Sequence, residues 1–370
     1  MYDQIREDTL YIILYSIVTA MNAMASIYLL FRRGNAFAAD ITPPVRLRRW
    51  TAAFFAVLAI GHLWYIPAVM FDSREAAMVS MLIGALLDCI LTIPLALGVM
   101  LCMLQDRRRP LWPIGAMVAP LVVGMVVCIV TRSDALLPWV RGYFLLTFIG
   151  FTVYLVGAVR QYGRWLRDNY ADLEHKEVWQ SFLVLAFMMI IFGYYVSGDG
   201  GMFYEYTVQV FGLFLVFYLL WRVETLSDLS IPLAQSLPAN ETDTEDIEDN
   251  TFSPTIHEKI GELLQQHCID TQFYLQHDLT LPQLAQIIGT NRRYLSQYFS
   301  SQDTNYNTYI NDLRINHFVS LYREAIAAKR SATAQQLANE CGYRSYSTFT
   351  LAFKQRMGQS VTAWMRDSGE

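Results

Sequence analysis

The chain has 370 residues, enough for about two domains. Hydrophobic residues make up 54% and charged residues 16%, against roughly a quarter charged in ordinary soluble domains, which excludes a disordered, collagen-like or small disulfide-stapled chain. The net charge of −5 argues against a uniformly basic nucleic-acid binder.

Taken in order, residues 1–221 hold seven apolar runs near 9–31, 51–71, 76–104, 111–131, 138–159, 178–197 and 202–221. A bilayer crossing takes about 20 apolar residues, so each is read as a transmembrane helix. The first run is too long, and its leader "MYDQIRED" too acidic, for a cleaved signal peptide. Loops after the first, third and fifth runs carry Arg32, Arg33, Arg46, Arg48, Arg49, Arg107, Arg108, Arg109, Arg160, Arg164, Arg167 and Lys176. The other side carries Arg6, Arg74 and Arg132, with Arg141 at the mouth of the fifth run. The positive-inside rule places the basic loops in the cytoplasm, the N-terminus outside and everything after the seventh span inside.

Ionisable residues within spans are costly and often functional. His62 and Asp88 both fall near the bilayer midplane, on spans joined by a short turn, and form a candidate sensor pair. Asp199, Glu205 and Arg141 are candidates to line an external pocket. Trp64, Tyr65, Tyr194, Tyr195, Tyr204 and Tyr206 read as interfacial belts. Cys89, Cys102 and Cys128 lie in spans, Cys268 and Cys341 beyond them, and no CxxC occurs; neither disulfides nor a metal site is expected.

Residues 222–254 contain eight acids against one base, Arg222, and read as a flexible tether. Residues 255–370 carry a helical period throughout. Residues 256–276 form a first helix. Thr280 then caps a helix with Pro282 in its first turn; Leu284, Ala285 and Ile288 face inward, and Gly289 supplies a sharp turn. A second helix starts near Asn291, with Leu295 and Phe299 on its buried face. Residues 305–328 read as one helix, on which Arg314 is expected to pair with a carboxylate of its own face. The helix-turn-helix pattern then returns: Leu337, Ala338 and Cys341 inward, Gly342 at the turn, Phe349 and Phe353 as the i, i+4 pair.

The segments "LAQIIGTNRRYLSQYF", "YINDLRI" and "LANECGYRSYSTFTLAFKQRMGQSVTAW" resemble the DNA-binding domain of the AraC/XylS family of transcription regulators. The likeness covers about the last hundred residues and is most specific at Gly342–Tyr343, Phe349, Phe353–Lys354 and the closing "MGQS…W". Phe318 departs from it where a small residue is usual, and Val361 where proline is usual. The resemblance implies two helix-turn-helix units joined by a long helix. The fold class expected is therefore all-α: a seven-helix membrane bundle (1–221), the tether and an AraC-type domain (255–370).

In such a unit the start of the second helix enters the major groove. That assigns Asn291, Arg292, Arg293, Ser296 and Gln297 in the first unit, and Arg344, Ser345, Tyr346, Ser347 and Thr348 in the second, with Lys354 behind them. Arg, Asn and Gln can bond base edges bidentately, and Ser and Thr hydroxyls hold phosphates. Tyr294 and Tyr346 are assigned to packing or phosphate contact rather than base reading. The expected partners are double-stranded DNA, the lipid bilayer and an unknown signal; two units in one chain can span two grooves, and a homodimer remains open. No cofactor, metal or catalytic motif is indicated. The competing reading is a membrane receptor or carrier whose cytoplasmic domain recruits a protein partner.

Overall fold

The computed structural model describes residues 7–32, 34–39, 41–70, 74–184, 186–187, 190, 201–229 and 254–369. Among them the chain is helical, and it divides into two compact units. Unit 1 comprises residues up to Tyr162 together with Val178–Asp228; unit 2 comprises Gly163–Glu177 and residues from Leu229 onward.

Unit 1 contains α1 (Thr9–Phe31), α2 (Val45–Met70), α3 (Arg74–Leu87), α4 (Ile93–Met103), α5 (Trp112–Thr131), most of α6 (Leu137–Asn169), and α7 (Gly201–Thr225). Five described helices are long and apolar enough to cross a membrane: α1, the α3–α4 pair, α5, α6 and α7. Helix α2 is also long but begins earlier than expected, taking Arg46, Arg48 and Arg49 into its first turns. Half of the sixth run, 178–197, lies outside the described residues, as do Asp199, Tyr194 and Tyr195. Large apolar side chains stand uncovered along these helices, Leu146 at 69% and Phe203 at 85% among them.

The third run is not one regular helix. Between α3 and α4, Asp88–Thr92 winds as a π-turn, closed by the Ile93 N–H donating to the Asp88 carbonyl. Pro94 supplies the reason: it lacks an N–H, and its ring crowds the carbonyl four residues before it, so the preceding turn widens. Helices α2 and α4 approach closely at Gly98, where any Cβ would overlap the Trp50 ring.

Among the expected cytoplasmic bases, Arg109 and Lys176 are buried and Arg48 is half-buried. Arg48 pairs with Glu224 at 3.2 Å, and Arg109 binds Asp106 through two bonds of 2.6 and 3.0 Å. Glu224 also accepts from Tyr28 at 3.3 Å. Helix α7 continues to Thr225, with Val223 and Leu226 buried, so residues 222–228 pack against unit 1 rather than opening the tether. Residues 230–253, the rest of the expected tether, lie outside the described residues.

Unit 2 contains α8 (Pro254–Leu264), α9 (Leu281–Ile287), α10 (Arg292–Ser301), α11 (Tyr306–Ala327), α12 (Ala334–Glu340), α13 (Tyr346–Met357) and α14 (Val361–Gly369). The expected helix over 256–276 is instead three pieces: α8, a π-turn over Gln265–Ile269 and a short 3-10 turn over Phe273–Leu275. Gln272, in the left-handed region at φ 54°, ends the helical run between them. Helix α11 serves two cores. Its Tyr306 and Ile310 pack with Leu284, Leu295 and Phe299, and its Ile315 and Phe318 pack with Leu337, Phe349, Phe353 and Trp364. Phe318, the departure noted from sequence, fills the centre of the second core, 4.6 Å from the Phe349 ring and 5.6 Å from that of Phe353.

Candidate nucleic-acid interface

Each helix-turn-helix is set by local chemistry. Thr280 and Gln283 form a reciprocal capping box at the start of α9, and Thr333 and Gln336 repeat it at α12. The T-x-x-Q spacing that makes both boxes is present in the sequence at 280–283 and 333–336. Both turn glycines take positive φ, 70° at Gly289 and 84° at Gly342. They differ in their surroundings. A Cβ on Gly289 meets nothing within 4 Å, whereas one on Gly342 would overlap the Leu275 carbonyl, with its carbon 2.8 Å away.

Helix α10 starts on Asn291, whose Oδ1 accepts the Tyr294 N–H at 2.8 Å. That oxygen already accepts the cap bond, so a two-bond grip on adenine by Asn291 would use its second lone pair together with the side-chain NH2. Arg292, Arg293 and Gln297 are exposed and, with Asn291 and Ser296, line one open cleft. Helix α13 starts on Ser345, which caps the Thr348 N–H at 3.2 Å. Arg344 is exposed but bonded to Asp278 at 3.0 Å. Tyr346 rests on the Phe349 ring at 5.8 Å, a packing contact. Lys354 is exposed on the same helix, and Arg356 pairs with Asp312 at 3.0 Å.

Arg314 is structural, but its expected partner is corrected. It is 1% exposed and donates to the backbone carbonyls of Tyr274 at 2.8 Å and Gln276 at 2.7 Å, with its guanidinium over the Tyr343 ring. The 3-10 turn leaves those carbonyls open, and a planar fork of donors satisfies them. Cys268 and Cys341 are buried, and burial pushes their thiols up to about 11 and about 12. They are neutral packing groups. Among the described residues no cluster suited to a metal ion is present.

One arrangement was not anticipated. Residues 163–177, read from sequence only as a basic loop, belong to unit 2. Ala171 is buried in the first core and its N–H donates to the Leu279 carbonyl at 3.2 Å. Asn307 donates to the carbonyls of Ala171 at 2.7 Å and Tyr170 at 3.1 Å, and Asn311 to that of Ala171 at 3.2 Å. The Glu174 carboxylate then accepts from Thr348 Oγ1 at 3.0 Å and Ser347 Oγ at 3.3 Å. Burial acts to raise its pKa, but the bonds from Ser345 and Thr348, the neighbouring His175 and the bond from Ser347 prevail and hold it below the usual carboxylate range.

Residues 284–367 match the family model described as a helix-turn-helix domain. This segment is an AraC-type helix-turn-helix domain. No curated protein and no solved structure matches the chain. The AraC-type domain thus takes in both turn glycines, both helices α10 and α13, and the linking α11.

In unit 1, His62 and Asp88 take separate partners. His62 faces the Leu58 carbonyl through Nδ1 at 2.8 Å and Gln209 Oε1 through Nε2 at 3.2 Å, and its ring packs 4.7 Å from that of Tyr15. Asp88 accepts from Tyr65 at 3.0 Å and Thr92 at 2.8 Å. Depth along a span, which sequence supplies, does not fix the azimuth that decides partners. Glu205 accepts from Tyr11 at 3.1 Å, one turn from Gln209 on α7, while Tyr206 donates to Asp8 at 2.7 Å. Tyr65 and Tyr206, expected from sequence to be belt aromatics, are hydrogen-bonding groups here.

Proposed function

We propose that the chain is a membrane-bound, one-component transcription regulator. Helices α1–α7, with the further span expected at 178–197, form a seven-span domain in the cytoplasmic membrane with the N-terminus outside. The AraC-type domain reads specific DNA on the cytoplasmic side. Arg292, Arg293, Ser296 and Gln297 are the first unit's contacts, and Arg344, Ser345, Ser347 and Thr348 the second's. The membrane domain is the sensor of an unidentified signal, with His62 and Asp88 as polar groups at mid-depth. The observation that carries the reading is one chain holding both an AraC-type domain and five helices of membrane length whose apolar side chains are mostly not buried among the described residues. Basic side chains at the starts of α10 and α13, without acids on those helices, support phosphate and base contact there.

The test is binding of the full chain in detergent to a duplex from upstream of its own gene against a random duplex at fixed salt. A preference for the upstream duplex is expected, and Arg292→Ala and Arg344→Ala should each weaken it by about 1–3 kcal/mol. Equal affinity for both duplexes overturns the reading and favours recruitment of a protein partner.

A further inference from the structure

The hydroxyls assigned to DNA phosphate at the start of α13 are occupied by a carboxylate of the same chain. Glu174 takes bonds from Ser347 and Thr348, and Ser345 bonds both of those hydroxyls, at 2.9 and 3.0 Å. A phosphate would use the same donors, for the same reason: a helix N-terminus with hydroxyls favours an anion. The same segment reaches the first unit. Asp168 feels its neighbours Arg167 and Arg164 most and Arg292, at the head of α10, more weakly. Between these two acids, Tyr170 bridges to Thr280, the cap of α9, and Ala171 is seated in the core under α11. Beyond them, Lys176 lies 3.8 Å from Asp278, the carboxylate that also holds Arg344. The strap 163–177 therefore engages the head of α13 directly through Glu174 and passes beside that of α10, while Asp278 holds Arg344.

We infer that residues 163–177 and DNA compete for one face of the AraC-type domain, so that the strap is an intramolecular inhibitor which the membrane helices withdraw. This rests on the proposed DNA-binding function. The strap is also a route for the signal. It continues α6, whose 33 residues rise about 50 Å, against a hydrocarbon core of about 30 Å. A spanning helix that overruns the bilayer by several turns transmits a shift or rotation directly, as an acidic tether does not.

The test uses the full chain in detergent, comparing the parent with Glu174→Ala and with Asn307→Ala, which frees the strap without touching the assigned DNA contacts. If the strap is docked in about nine molecules of ten, apparent affinity for the upstream duplex is reduced about tenfold, and both variants recover most of it. Saturating duplex should also raise hydrogen exchange in the peptide spanning 170–177, because the Ala171 N–H loses the Leu279 carbonyl. Three results overturn the inference. Variants that prefer the upstream duplex but bind it no tighter than the parent do so and leave the DNA-binding function standing. Exchange at 170–177 unchanged by saturating duplex does the same. A parent and variants that all fail to distinguish the upstream from the random duplex remove the function and the inference together.

Discussion

The two turn glycines are matched in sequence and in φ yet should respond differently to alanine. In Gly289→Ala the new methyl enters open space, so only the left-handed backbone is penalised, by about 1–2 kcal/mol. A stiffer unfolded chain offsets about 0.4–1 kcal/mol of that, leaving a net loss of about 1 kcal/mol. Gly342→Ala carries the same backbone term, but its methyl also meets Leu275 backbone atoms, carbon at 2.8 Å and Cα at 2.9 Å. A carbonyl cannot swing aside as a side chain can, and Arg314 holds the neighbouring carbonyls of Tyr274 and Gln276 in place. Overpacking of this kind adds about 1–3 kcal/mol, for a net loss of about 3 kcal/mol. Native-state hydrogen exchange of the full chain, read in α9–α10 for the first variant and α12–α13 for the second, measures both. Losses of equal size at the two positions would refute the claim that close approach to the Leu275 carbonyl, rather than φ alone, demands glycine at 342.

Phe318→Ala should remove about 3–5 kcal/mol from the second core, since the ring is fully buried against Phe349, Phe353 and Trp364; exchange in α13 and α14 reports it, and an unchanged rate there would show that the core closes over the gap. A topology reporter fused after residue 222 should read cytoplasm, and an external signal would overturn the seven-span count together with access of the AraC-type domain to DNA.

Much of the AraC-type domain was legible because its determinants are local. Thr280, Gly289, Leu295 and Phe299 act through spacings of three to five residues, and the second unit repeats them; Thr280 caps, Gly289 turns at positive φ, and Leu295 and Phe299 are buried. The apolar runs were legible for the same reason, since length and composition suffice for a span. What was missed involves pairs far apart in the chain. Arg314 was expected to pair on its own face, yet the groups it satisfies are carbonyls about 40 positions away, exposed by a 3-10 turn that no periodicity announced. His62 and Asp88 lie within electrostatic range of each other, but their hydrogen bonds go to Gln209 and to Tyr65, which depth along the chain does not specify.

By itself, the sequence determined that this protein joins apolar helices of membrane length to a doubled helix-turn-helix, because hydrophobic period, capping residues and turn glycines act within a few residues of one another. The tertiary structure alone decided that a loop valued only for its positive charge carries Glu174 to the head of α13. That contact links residues 174 positions apart. It exists because Ala171, Asn307 and Asn311 fix the strap over α11, and packing of that kind leaves no mark in either segment read alone.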